Sequence, residues 1–316
     1  MKNAKVLTTR RRTWLQDMQY NWQLYVMVVP AVLFFLIFNY VPFAGIVLAF
    51  KKFNFFDGIW GSPWCGFENF KFLVASGKLW SLTRNTMLYN ASFIVVATVF
   101  EVILSVFLSE INAKYFKKIT QTVMLFPHFI SWVVIGIFMY QLINYDTGII
   151  NSVLQSLGME KIMVYSEAKW WPFIIIATYE WKSFGYGSIV YLATIMGFDR
   201  ECYEAAEIDG ATLWQRTRYI TLPMLKPIVT IMVVMAIGRI VRGNFELFYQ
   251  LVGSSPRGEV LAATDIIETY VFRSVLSATE LGVSTATGLY QSVLSCIIVF
   301  VANGVVRKLD SDNALF

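Results

Sequence analysis

Long uncharged runs alternate along the chain with short polar segments. Trp22–Phe50 contains no Lys, Arg, Asp or Glu, and neither does 119–145 or 281–306. Three further blocks are broken by only a few charges. Residues 85–109 carry Glu101, residues 170–198 carry Glu180 and Lys182, and residues 220–241 carry Lys226 near one end and Arg239 near the other. A bilayer core of roughly 30 Å takes about 20 predominantly apolar helical residues to cross. The pattern therefore predicts six transmembrane helices and an all-α integral membrane protein. Pro30 and Pro42 are placed to bend the first of them.

Composition narrows the class. The chain has 316 residues, 57% hydrophobic and 15% charged, with mean hydropathy +0.56. A soluble domain carries about 25% charge, so an ordinary cytoplasmic enzyme and a secreted domain are excluded. Disorder is excluded too, because 26 Phe, 16 Tyr and 10 Trp would then stand in water. His128 is the single histidine, which argues against a His-ligated metal or multi-haem protein; as it follows Pro127 at an expected kink, it reads as a structural imidazole. Cys65, Cys202 and Cys296 form no CxxC pair and fall at different predicted depths, so neither a disulfide nor a reactive thiol is expected. The net charge of +5 reads as topology, with no nucleic acid as partner.

The apolar stretch after Arg10, Arg11 and Arg12 is too long for a signal-peptide core and lacks a small-residue cleavage site, so it reads as a retained first span. Six spans put both termini on one side. Basic residues are about twofold denser in 1–21, 110–118, 199–219 and 307–316 than in 51–84, 146–169 and 242–280, and the positive-inside rule then places both termini in the cytoplasm. The triple arginine serves as topology anchor and secondarily touches membrane lipids. Trp60, Trp64, Trp170 and Trp171 are expected at the outer interface. The resulting plan is a cytoplasmic segment 1–21, a first span 22–50, an outer loop 51–84, a five-span core 85–306 and a cytoplasmic tail 307–316. The outer stretch 53–70, rich in Gly, Pro and aromatics, reads as a compact ordered loop.

One cytoplasmic loop, 199–227, stands apart. Asp199 is a suitable N-cap, Glu201 suits a first helical turn and Gly210 suits the position after the last. These predict a helix of about ten residues, roughly 15 Å long, followed by a second helical stretch that Pro223 and Pro227 bend into the fifth span. Small Ala205 and Ala206 suit the short helix to close docking in a partner's groove.

Glu204, Ala205 and Ala206, then Gly210 after three residues, then Ile220, Leu222 and Pro223 after nine more, resemble the EAA loop of binding-protein-dependent ABC importer permeases. Asp209-Gly210-Ala211 and Trp214-Gln215 match what sugar permeases show, while Thr217 stands where these loops often have Phe. Asn85-Thr86, Leu125-Phe126-Pro127 with Ser131 to Val134, Gly148 with Asn151, and Ala286 to Gln291 with Asn303 resemble the carbohydrate-uptake branch, closest to the larger of two paired permeases in oligosaccharide or polysaccharide importers. The resemblance implies a type I ABC importer permease fold in the bacterial plasma membrane. It implies two ATPase subunits seated on the Glu204 helix, a second homologous permease chain, an extracytoplasmic substrate-binding protein and a saccharide substrate. The chain has no GxxxxGK[ST] loop. No cofactor is therefore expected on it, and ATP with magnesium belongs to the partner ATPase.

Ionisable groups inside a membrane face a cavity or a partner. Glu180 and Lys182 lie two apart on the fourth span, on different faces. Arg239, Arg242 and Glu246 cluster toward the outer end of the fifth. One reading is a polar sugar pathway with Tyr179, Trp181, Tyr186 and Tyr290 stacking on sugar rings, and with three basic residues suiting an acidic saccharide. The other is inter-helix ion pairing with aromatics as filler, Glu180 and Glu246 neutralising two of the cations. Glu101 is read as an inter-helix hydrogen-bonding partner. A membrane-embedded enzyme acting on lipid or glycan is the rival class, its carboxylates supplied by Glu201, Glu204, Glu207 and Asp209, though without metal-type spacing. A secondary transporter is a further rival, without the internal repeat such proteins often show.

Overall fold

The structure, a computed structural model, describes residues 18–111, 113–253, 256–277 and 280–309. Arg10, Arg11 and Arg12 and the tail beyond 309 lie outside the described residues. Among the described residues there is no strand, only one isolated bridge between Lys51 and Trp64.

The first helical run opens as α1 (Trp22–Phe35), tightens through a π turn (Leu36–Tyr40) and ends as a 3₁₀ segment (Val41–Phe50). Its apolar residues from Trp22 to Ala44 are exposed, the expected condition of a surface whose solvent is lipid, while Ile46 to Phe50 are half-buried or buried. The loop that follows, expected on the outer side, holds α2 (Gly58–Gly61) and α3 (Glu68–Ala75). It is compact, as its composition predicts. Buried Lys51 donates from Nζ to the carbonyls of Ile59 and Trp60, at 3.0 and 2.7 Å, and Asn69 donates to the carbonyls of Ala49 and Lys51.

α4 (Lys78–Glu110) begins within the stretch assigned to the outer loop and runs about 50 Å at 1.5 Å per residue. Next come α5 (Lys114–Leu125), a 3₁₀ turn (Phe126–Phe129) and α6 (Trp132–Ile143). The span expected over 119–145, with a kink at Pro127, is broken there into two helices. α5 with its 3₁₀ turn meets α6 at a bend of 94°, because Pro127 removes a ladder donor and Ser131 restarts the helix by accepting from the Val134 N–H. α7 (Ile149–Ser156) and two 3₁₀ turns (Val164–Ser166, Ala168–Trp170) lead to α8 (Trp171–Met196). There the Lys169 ammonium, 2.7 Å from Glu167, holds that exposed carboxyl below its ordinary range. α9 (Arg200–Ile208), α10 (Leu213–Arg216), a π turn (Thr217–Thr221) and α11 (Leu222–Ile237) follow. Then come α12 (Phe245–Val252), α13 (Gly258–Thr264), α14 (Ile267–Leu276) and α15 (Leu281–Leu309).

Among the described residues four helical runs are long and apolar enough to cross a bilayer: Trp22–Phe50, Lys78–Glu110, Leu213–Ile237 and Leu281–Gly304; the bent pair Lys114–Phe129 with Trp132–Ile143 makes a fifth if counted as one span. α8 is long enough but more polar. The fifth predicted span starts earlier and stops earlier than 220–241, since Pro223 and Pro227 are absorbed within helix and the chain leaves helix after Ile237.

α8 is the centre of the packing and lies along α4. Ser105 donates to the Ser188 carbonyl at 2.8 Å, and a side chain at Gly185 would run into the backbone of Met124, the close small-residue approach that membrane helices use. Trp171, expected at the interface, is instead fully buried in a cluster with Ile175, Leu247 and Ile266, because α12 and α13 fold back over the N-terminal end of α8. Trp60 and Trp64 are exposed.

Candidate functional site

The predicted loop helix forms as α9. Asp199 accepts from the Glu201 N–H at 3.0 Å, and Gly210 sits at φ +76°, a left-handed conformation that other residues adopt only with strain. The second stretch starts with a capping box between Thr212 and Gln215. Two contacts tie the short helix to the fifth span: the Tyr203 and Thr221 hydroxyls lie 3.0 Å apart, and Arg216 lies 3.5 Å from Glu207. Thr217 is buried in the π turn, its hydroxyl without a partner. Glu204, Ala205 and Asp209 are exposed beside Ile208 at 87% and Trp214 at 65%. Ala206 and Ile220 are half-buried, whereas Leu222 and Pro223 are exposed at the root of α11. Ile208 and Trp214 thus present exposed apolar side chains beside the carboxylates of Glu204 and Asp209.

The second site is an open cavity of about 760 Å³ lined by α4, α8, α11 and the segment leading to α12, within the size range of small-molecule sites. Phe93 and Tyr179, stacked with centroids 4.0 Å apart, line it with Tyr191, and so do Arg239, Arg242, Phe245 and Glu246. Among the described residues, neither guanidinium has an ion-pair or hydrogen-bond partner, and both arginines are exposed. Glu101 lines the cavity floor and lies against Gly187 of α8. Glu180 is behind it, 8% exposed, with both carboxylate oxygens unpartnered.

Other residues singled out from the sequence stand elsewhere. Lys182 donates to the carbonyls of Pro127 and His128, at 3.3 and 2.7 Å, and to that of Ile130, and its ammonium lies over the Trp132 ring. It therefore satisfies the bare backbone of the α5–α6 bend; among the described residues no carboxylate forms an ion pair with it, and Glu246 acts on it from farther off. Tyr186 stacks on His128 at 4.3 Å, and Tyr290 shares a 3.1 Å hydrogen bond with Thr83; neither ring lines this cavity. Asn90, Phe93, Tyr191 and Phe245 do line it, and nothing in their local sequence sets them apart from packing residues. Glu101 carried the one legible signal, a lone charge in an apolar run.

Comparison with known proteins gives the family. Residues 102–311 match the model of the binding-protein-dependent transport system inner membrane component family. Protein LplB of Bacillus subtilis is 33% identical over 99% of this chain and 97% of its own length. The polygalacturonan/rhamnogalacturonan transport system permease protein YteP of the same organism is 32% identical over 96% and 93%. A chain of a bacterial ABC transporter involved in the import of the acidic polysaccharide alginate superposes with TM-score 0.82 at 31% identity, covering 94% of this chain and 99% of that one; it has also been solved in complex with a periplasmic protein bound to an alginate pentasaccharide. With the loop, the apolar helices and the matched region in agreement, this protein belongs to the binding-protein-dependent transport system inner membrane component family.

Proposed function

We propose that the chain is one of two permease subunits of an ATP-driven importer for an acidic oligosaccharide. The observation that carries the substrate class is the pair of unneutralised guanidiniums, Arg239 and Arg242, lining the same cavity as a stacked ring pair. An unpaired cation inside a membrane protein is costly unless a ligand or partner meets it. Arginine suits a carboxylate through its two-pronged donor geometry, and aromatic faces suit the apolar faces of sugar rings. The alginate importer and the polygalacturonan/rhamnogalacturonan permease among its relatives support the same class.

In this reading α8 is counted with the five apolar spans, which makes six, with both termini in the cytoplasm and the five spans from 85 to 306 as the core. The α9 helix seats in a separate ATPase that holds ATP and magnesium, and Glu204 anchors it. A binding protein delivers the sugar from outside. Rotation of α9 on ATPase closure is passed to α11 through Tyr203 and Arg216, a rigid-body switch.

Affinity purification of the chain from native membranes tests this, wild type beside Glu204→Ala and Gly210→Pro. Wild type is expected to retain an ATPase and a second permease, and both variants to lose the ATPase and keep the permease. Purification of the wild type with neither partner refutes the importer reading and turns attention to the carboxylates of α9 as an enzyme site.

A further inference from the structure

The arginines of the cavity stand on backbone that is not helical. α11 ends at Ile237 and α12 starts at Phe245; turn hydrogen bonds take up the N–H groups of Gly238, Arg239, Ile240 and Arg242, and the other polar groups of the main chain there need partners from elsewhere, since leaving them bare is costly at membrane depth. Three side chains from three helices supply what is missing. Asn90 of α4 donates to the carbonyls of Ile240 and Arg242 at 2.8 and 3.2 Å. Gln291 of α15 donates to the Val241 carbonyl at 2.7 Å and to Glu268 Oε1 at 2.6 Å. Glu268 of α14 accepts, on that same oxygen, from the Gly243 N–H at 2.6 Å. Each residue from Ile240 to Gly243 is thereby held from outside the segment. Gly243 is required for it: a Cβ there would stand 2.5 Å from Glu268 Oε2 and 2.6 Å from Ile266 Cδ1.

The disposition of charge is equally specific. Glu268 commits one oxygen to an amide and a main-chain N–H, and its other oxygen is buried without a partner. It forms no ion pair with Arg239 or Arg242, although its hydrogen-bond partner Gly243 is the residue next to Arg242. Gln291 also lines a second cavity of about 210 Å³ with Gly238, both arginines, Ser292 and Ser295. The two guanidiniums thus stand between two spaces, clamped at the backbone and free at the tip.

We propose that Glu268, Gln291 and Asn90 are positioning residues for substrate selection: they hold the 240–243 backbone so that Arg239 and Arg242 are presented, unneutralised, to carboxylates of the saccharide. This rests on the acidic-oligosaccharide reading above. Preorganised charge binds more tightly because the ordering cost is met before the ligand arrives.

The test is a binding cycle on the purified whole importer. The Kd for an acidic oligosaccharide, and its dependence on salt, is measured for wild type, Glu268→Ala, Arg239→Gln/Arg242→Gln, and the triple variant. Glu268→Ala is expected to weaken binding about tenfold, or roughly 1.4 kcal/mol, and to flatten the salt dependence that a guanidinium–carboxylate contact imparts. Glu268→Gln, which keeps the accepting oxygen, should restore most of the affinity. In the arginine-free background Glu268→Ala should add nothing, since the two changes act through one contact. An equal, additive loss in that background makes Glu268 merely structural and overturns the proposal while sparing the acidic reading. Unchanged affinity in Arg239→Gln/Arg242→Gln overturns both. Should Glu268→Ala fail to assemble, Asn90→Ala and Gln291→Ala enter the same cycle with the same two outcomes.

Discussion

Lys182 shows how a residue conspicuous in sequence is spent. A cation in the middle of a predicted span reads equally as pathway or as structure, and in the fold it caps three carbonyls at the α5–α6 bend. Lys182→Met keeps the length of the side chain and removes the donor. Each carbonyl that finds no other partner then costs about 1–3 kcal/mol. The variant should accumulate poorly and melt earlier in detergent, while its surviving fraction keeps the wild-type preference among saccharides. A variant of normal stability with altered preference contradicts the structural role. Arg239 and Arg242 are the converse case, equally charged but with nothing in the described chain to spend the charge on. Replacing both by Gln should depress uptake of an acidic oligosaccharide by about tenfold or more, the worth of one charge-assisted contact, in membrane vesicles assayed with the binding protein and ATP.

At the scale of elements, the loop between the fourth and fifth predicted spans was largely legible. N-cap, C-terminal glycine and helix length all read directly from local sequence, because capping is decided within a few residues. Hidden from sequence was the link between α9 and the π turn. Tyr203 and Thr221 lie eighteen residues apart, and their hydroxyls meet only when the chain reverses. The Tyr203→Phe variant removes that hydrogen bond and little else. It should keep the ATPase bound and hydrolysing, yet lower the saccharide moved per ATP, measured in proteoliposomes. Equal losses of transport and hydrolysis would instead place the defect in ATPase docking. Gly210→Ala should weaken the same element by about 1 kcal/mol through its positive φ, read as a lower melting temperature of the complex.

The natural cysteines report on the whole molecule. Cys202 is exposed on α9 and Cys65 half-buried in the outer loop, so with both termini cytoplasmic they face opposite sides of the membrane. In variants retaining one cysteine each, a membrane-impermeant thiol reagent should label Cys65 in intact cells and Cys202 only after permeabilisation. The reverse pattern inverts the topology.

Sequence alone determined the class of the molecule, because a bilayer demands long apolar helices and nothing else in nature's usual repertoire tolerates so many uncharged runs. It also determined the capped loop helix and its family resemblance, since both are local in the chain. The tertiary structure decided where the apolar pattern is silent. A bend such as that between α5 and α6 holds only when a distant side chain receives its bare carbonyls, and Trp171 is buried only because α12 and α13 fold over it. The cavity, too, is assembled from residues more than a hundred positions apart, Asn90 and Phe93 against Arg239 and Arg242. Whether a charge in a span is paired, capping or free depends on what the other helices bring within about 4 Å of it, and no single stretch of sequence carries that information.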